Sequence, residues 1–211
     1  SSKGLTKRSD SFSIRDFRNR KVFKIVILNY LKKIGTNESI EHIEDINSLI
    51  NRFDLRNFSK SSFFFDPIDV ERLNLKFLKN IDVDEINKTL KSNYGDTFWK
   101  IVRSNINSID EIKEWDLLIN KDFKIKEKIT LKKGLKDVIK KCIPEKVNQE
   151  FWKLWTNNIL TKYDIKPKDL YLMLRKILTG KKFGPSMNDL LTLMKKDEII
   201  KRTEINCEEE N

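Results

Sequence analysis

The sequence predicts an all-α protein. Apolar residues recur at three- to four-residue spacing along nearly the whole chain, and no alternation of apolar and polar residues persists beyond a few positions. Asp, Ser, Gly and Pro also fall where helices start and stop, which divides the chain into roughly nine or ten helices.

Val22, Ile25, Val26, Tyr30 and Ile34 share one helical face, and Gly35 ends it. Ile40, Ile43, Ile46, Leu49, Ile50 and Phe53 continue at the same spacing. Phe63-Phe64-Phe65 reads as a buried loop anchor ahead of Asp66-Pro67, a helix start with a capping side chain and proline in the first turn. Val70, Leu73, Phe77 and Leu78 carry that helix on. Asp84 can cap a helix with Ile86 and Leu90, and Phe98, Trp99, Ile101 and Val102 form a short one. Ser108 and Glu111 have capping-box spacing before Ile112, Trp115 and Ile119. Lys121 to Lys128 is a charged connection. Leu131, Leu135, Val138, Ile139 and Cys142 make a helix broken by Pro144, and Val147, Phe151, Leu154, Trp155 and Ile159 make the next. The tail from Cys207 to Asn211 is acidic and is expected to fray.

The final helix pair brackets the most informative stretch, Leu174 to Leu191. Leu174, Ile177 and Leu178 end a helix at Gly180, since glycine takes the left-handed cap conformation without steric cost. Lys181, Lys182 and Phe183 follow. Gly184-Pro185 then turns the chain, and Ser186 can cap a helix carrying Leu190, Leu191 and Met194. Cations and an aromatic ring on a tight turn suit single-stranded nucleic acid, the cations holding phosphates and the ring stacking a base. An ordinary corner with solvated lysines fits the same residues, and physics alone does not separate the two.

Composition points the same way. Of 211 residues, 43 are Lys or Arg and 32 Asp or Glu, a net charge of +11. That favours a polyanion or an anionic surface, although an Ile-, Asn- and Lys-rich composition also follows from genomic base bias. No apolar run reaches the ~20 residues of a membrane span, and the opening SSKGLTKRSD lacks the apolar core of a secretory signal. Cys142, Cys207 and the lone His42 make no zinc pattern and argue for a reducing compartment. The chain opens on Ser1 rather than Met, consistent with a partial chain. His42 reads as solvated or partly packed, and Trp99, Trp115, Trp152 and Trp155 read mostly as core. Asp82 and Asp84 satisfy helix-start amides and form no acid–base pair.

Several pieces of this sequence, in order, resemble the bacterial glutamyl-tRNA synthetases, class I aminoacyl-tRNA synthetases. Leu174, Arg175, Leu178, Thr179, Gly180 and Pro185 are similar to that family's anticodon-binding signature. Asn29-Tyr30-Leu31 with Ile34-Gly35, then Phe53-Asp54-Leu55, Phe65-Asp66 and Leu73-Asn74, match its upstream landmarks. Gly4-Leu5-Thr6-Lys7-Arg8 resembles the KMSKS-type loop, with Lys7 at the lysine that holds ATP phosphates in the family. Gly4 replaces the loop's first lysine, and Asp10 stands where glycine is common.

The resemblance implies a stem-contact region over residues 1–82 and two anticodon-binding subdomains over 83–128 and 129–211. It implies that the Rossmann catalytic domain precedes residue 1, since no His-x-Gly-His motif occurs here. The parent would join glutamate to tRNA with ATP and Mg2+, neither expected on this piece, which would bind tRNA without catalysis. The implied anticodon contacts are Arg175, Gly184, Pro185 and Met187, with Lys181, Lys182 and Phe183 added on physical grounds. The implied partner is tRNA(Glu), with tRNA(Gln) as a second candidate, for a cytoplasmic monomer that touches no membrane. An arginine in the first subdomain separates those tRNAs in some relatives, and the register around Arg103-Ser104-Asn105 leaves it unassigned. The alternatives are a basic helical scaffold, or a general nucleic-acid-binding module without any role in aminoacylation.

Overall fold

A computed structural model describes residues 13–34, 36, 43, 45–60, 65–120, 125, 128–210. Expectations for Lys7, His42, Phe63 and Phe64 fall outside them. The chain divides into two compact units, Ser1–Ile86 and Asn87–Asn211. The described residues are mostly helical, as the spacing predicts.

The first unit holds α1 (Ile14–Asn19), α2 (Lys24–Lys33), α3 (Ile46–Asn51) and α4 (Pro67–Leu78). Periodicity does not announce α1, which is only six residues long. It forms behind a capping box in which Ser13 and Asp16 satisfy each other's backbone amides. Asp66 caps α4 by accepting from the Ile68 amide at 2.8 Å, with Pro67 in the first turn as expected. The core gathers Phe17, Val26, Tyr30, Val70 and Leu73. Phe65 fills the role of loop anchor: its ring lies edge-on to Tyr30 at 5.4 Å and to Phe17 at 6.0 Å, and the Tyr30 hydroxyl accepts from the Asp66 amide.

Helix α5 (Val83–Leu90) straddles the division. The second unit continues with α6 (Asp96–Val102), α7 (Ile109–Asn120), strand β1 (Ile129–Leu131), α8 (Leu135–Lys141), α9 (Phe151–Leu160), α10 (Pro167–Thr179), α11 (Met187–Thr192), α12 (Lys196–Ile205) and strand β2 (Cys207–Glu209). Trp155 is fully buried, and its indole N–H donates to the Ile139 carbonyl at 2.9 Å, so the ring's one polar group is not stranded.

Three expectations need correction. Over residues 207–210 the acidic tail does not fray: β2 pairs in parallel with β1, Ile129 opposite Cys207 and Leu131 opposite Glu209. Contacts with β1 and with Lys136 help to hold it. The Glu210 amide donates to the Leu131 carbonyl at 2.8 Å, the Lys136 amide donates to Glu209, and the Lys136 ammonium donates to the Cys207 carbonyl. Leu131 accordingly belongs to a strand, and its helix begins four residues later, at Leu135. Val147 likewise precedes its helix, which starts at Phe151.

Helix α12 is also unannounced by the spacing. Its low apolar content hides a buried arginine. Arg202 donates to the Leu178 carbonyl at the end of α10 (2.7 Å), to the Leu118 carbonyl on α7 (2.6 Å) and to Glu198 (2.6 Å). A rigid planar fork of donors holds three separate oxygens in fixed directions, which the rotatable ammonium of a lysine does not. Asn206 adds a bond to the Ile177 carbonyl at 2.9 Å. Together these groups pin the end of α10, and with it the corner that follows.

Candidate nucleic-acid interface

The corner is built from α10 outward. Leu174, Ile177 and Leu178 are fully buried and fix the helix's inner face. Gly180 ends it in the left-handed conformation at φ 66°, its N–H returning to the Lys176 carbonyl at 2.8 Å. Thr179 turns its hydroxyl back to the Arg175 carbonyl (2.7 Å) and accepts from the Lys181 amide (3.2 Å), so the loop leaves the helix in one direction.

Arg175 closes the loop from the other side. Its Nη2 donates to the Pro185 carbonyl at 2.8 Å. Nη1 is buried without a hydrogen-bond partner, and burial pulls the guanidinium pKa below its ordinary value. Gly184 sits against Trp115 with φ 153°. A Cβ there would lie 2.5 Å from the indole Cη2 and 3.4 Å from Arg175 Nη1. The glycine is thus required by a close approach as well as by its backbone.

The loop's two lysines differ. Lys181 binds Glu114 at 2.9 Å and lies 5.2 Å over the Trp115 ring, so its charge is already partly answered within the protein. Lys182 is exposed. Phe183 is 85% exposed, an apolar ring presented to solvent on a braced loop. Pro185 and Met187, by contrast, are buried. Ser186 occupies the cap position of α11, but its hydroxyl makes no cap bond; the Ser186 carbonyl accepts from Leu190 instead.

Beside the loop runs a surface groove of about 580 Å³. Arg175, Lys182, Phe183 and Met187 line it, as do four residues that the sequence reading left in structural roles or passed over: Trp152, Lys168, Tyr171 and Leu172. Lys168, Tyr171 and Arg175 stand at three- and four-residue steps on α10, hence on one face. That spacing was readable in the sequence, but nothing in it distinguished an outward-facing tyrosine from a core one. Among the described residues, no acidic one lines the groove. Among the described residues no group of three His, Cys, Asp or Glu side chains could hold a metal ion, and no helix is long and apolar enough to cross a membrane.

Residues 73–206 match the model of a family described as "Anticodon binding domain". The chain is 32% identical over 200 residues to glutamate–tRNA ligase 1 of Wolbachia pipientis subsp. Culex pipiens, covering 95% of this chain and 44% of the relative. It is 32% identical over 203 residues to glutamate–tRNA ligase 1 of Rickettsia felis, covering 94% and 45%. It thus spans less than half the length of these relatives. A crystal structure of glutamate–tRNA synthetase from Elizabethkingia anophelis superposes with a TM-score of 0.66 at 14% identity, over 89% of this chain and 41% of that one. At that identity the likeness concerns the fold. The family match covers more than half of the sequence, and the chain belongs to the anticodon-binding domain family.

Proposed function

We propose that this chain, as a member of the anticodon-binding family, is the tRNA-binding part of a glutamate–tRNA ligase and grips the anticodon loop at the α10–α11 corner. The observation that carries the reading is the corner itself. A loop braced by Arg175, Thr179 and the Gly184–Trp115 contact presents Lys182 and Phe183 to solvent beside a groove lined by cations and rings, with no carboxylate among the described residues. Phosphates meet the lysines, and an unstacked base meets the ring.

In this reading Arg175 has two roles: it forms a wall of the groove and holds Pro185 in place. Lys181 serves the fold as much as the RNA. Gly184, Pro185 and Met187 set the loop's path. The partner is tRNA(Glu), with tRNA(Gln) as the second candidate, and the protein acts as a cytoplasmic monomer. Stem contact over residues 1–82 and anticodon contact over 83–128 and 129–211 complete the division of labour. Joining glutamate to tRNA with ATP and Mg2+ is the activity of the whole ligase. Lys7 would serve its ATP phosphates, and no step of that reaction is assigned to the residues described here.

Filter binding of a tRNA(Glu) transcript at fixed salt tests the assignment. Arg175→Ala is expected to weaken binding by about 1–3 kcal/mol, the range for losing one stacking or base-reading contact. Unchanged affinity would remove the corner from the interface. Absence of salt-dependent tRNA binding by the unaltered chain would favour a basic scaffold instead.

A further inference from the structure

The groove extends well beyond the corner, and its far wall is aromatic. Tyr171 lies one helical turn before Arg175 on α10 and is 40% exposed. Its ring stands 5.9 Å from that of Trp152 on α9, inclined at 54°. At that inclination the two rings cannot cover each other's faces, so an aromatic surface stays open to the groove. Trp152 is held from behind by an edge-on contact with the fully buried Trp155 at 6.4 Å. Lys168 stands one turn before Tyr171 and lines the same groove, while Phe183 and Lys182 line it on the loop side.

We infer that Tyr171 and Trp152 form a second stacking subsite, which takes an unpaired nucleotide of the RNA loop next to the one that meets Phe183. The inference rests on the proposed corner interface and extends it. A base offers the flat apolar face that these rings fit, and its phosphate offers the charge that Lys168 and Lys182 fit. A groove whose described charged residues are all cations selects a polyanion, and one with exposed ring faces selects single-stranded over paired nucleic acid, whose bases are already stacked. The ring pair is anchored on two helices rather than on a loop, so little order has to be imposed when the nucleotide arrives.

The test uses the full chain and an RNA stem-loop with the sequence of the tRNA(Glu) anticodon arm. The fluorescent base 2-aminopurine is placed in turn at each loop position. One position is expected to be quenched on binding. Tyr171→Ala and Tyr171→Leu should both abolish that quench and weaken affinity about five- to hundredfold, the range for one base–aromatic stack. Tyr171→Phe should retain both. The leucine variant keeps an apolar contact with Trp152 and so decides the matter if the alanine variant unfolds. Duplex RNA should compete poorly. If both Tyr171 variants bind and quench like the unaltered chain while Arg175→Ala loses affinity, the subsite is wrong and the corner interface stands. If neither the Tyr171 variants nor Arg175→Ala changes binding, the interface itself is wrong. Equal losses for Tyr171→Phe and Tyr171→Ala would assign the effect to the hydroxyl and overturn stacking.

Discussion

Gly184 is the residue at which the corner tolerates least. Its φ of 153° is one that side-chain-bearing residues rarely adopt, and Trp115, the group a Cβ would strike, is 2% exposed and cannot swing aside. Arg175 cannot yield either, because Nη2 is tied to the Pro185 carbonyl. Gly184→Ala should therefore cost about 1–3 kcal/mol, the usual cost of overpacking a tight site, read as a fall in the urea midpoint. Part of that cost goes into moving the Lys182–Phe183 segment, so affinity for the tRNA(Glu) transcript should fall as well. A variant that keeps both its urea midpoint and its affinity would show that the indole gives way freely.

At the scale of elements, helix caps account for much of what was legible. Asp66-Pro67, Gly180 and the buried Leu174–Ile177–Leu178 stripe all lie where spacing and capping chemistry put them, because each signal is local to the helix it serves. What was hidden depends on distant partners. A three-residue strand has too few residues to show a period, so β1 and β2 emerge only once the tail reaches Lys136. Arg202 looks like any surface arginine until the carbonyls of Leu118 and Leu178 are placed around it. Trp152 and Tyr171 carry the same sequence signature as core aromatics, and only the fold shows which face is open. The caps have a pH signature. Asp45 caps α3 by accepting from the Asn47 amide (2.9 Å), the Ser48 amide (3.1 Å) and the Ser48 hydroxyl (2.7 Å). These bonds, the Ser48 hydroxyl's first, hold its carboxyl below the ordinary value of 3.8. The cap therefore contributes fully above that value, and its contribution is lost as pH falls through the lowered one. A carboxyl NMR titration of Asp45 should show a midpoint below 3.8, and a midpoint at or above it would contradict the capping geometry. Asp45→Asn caps without ionising, so this share of the acid sensitivity of α3 should vanish in that variant.

At the scale of the whole molecule, the net charge of +11 is unevenly placed. Most of the excess lies on residues 87–211, the unit that contains the corner. A charge excess that came only from base bias would have no reason to matter at particular lysines. One that serves RNA binding should register in counterion release, residue by residue. For a single strand each neutralised phosphate contributes about −0.7 to the slope of log affinity against log salt. Lys182 is exposed on the braced loop, so Lys182→Ala should flatten the slope for the tRNA(Glu) transcript by about that amount. Lys181 already has Glu114 as a counterion at 2.9 Å and the Trp115 ring beneath it. Lys181→Ala should therefore change the slope by clearly less, and Glu114→Gln, which frees that ammonium, should steepen it. Filter binding across a salt series reads all three. Equal slopes for Lys181→Ala and Lys182→Ala would mean that the RNA pulls Lys181 away from Glu114. Slopes unchanged in every variant would return the excess charge to composition.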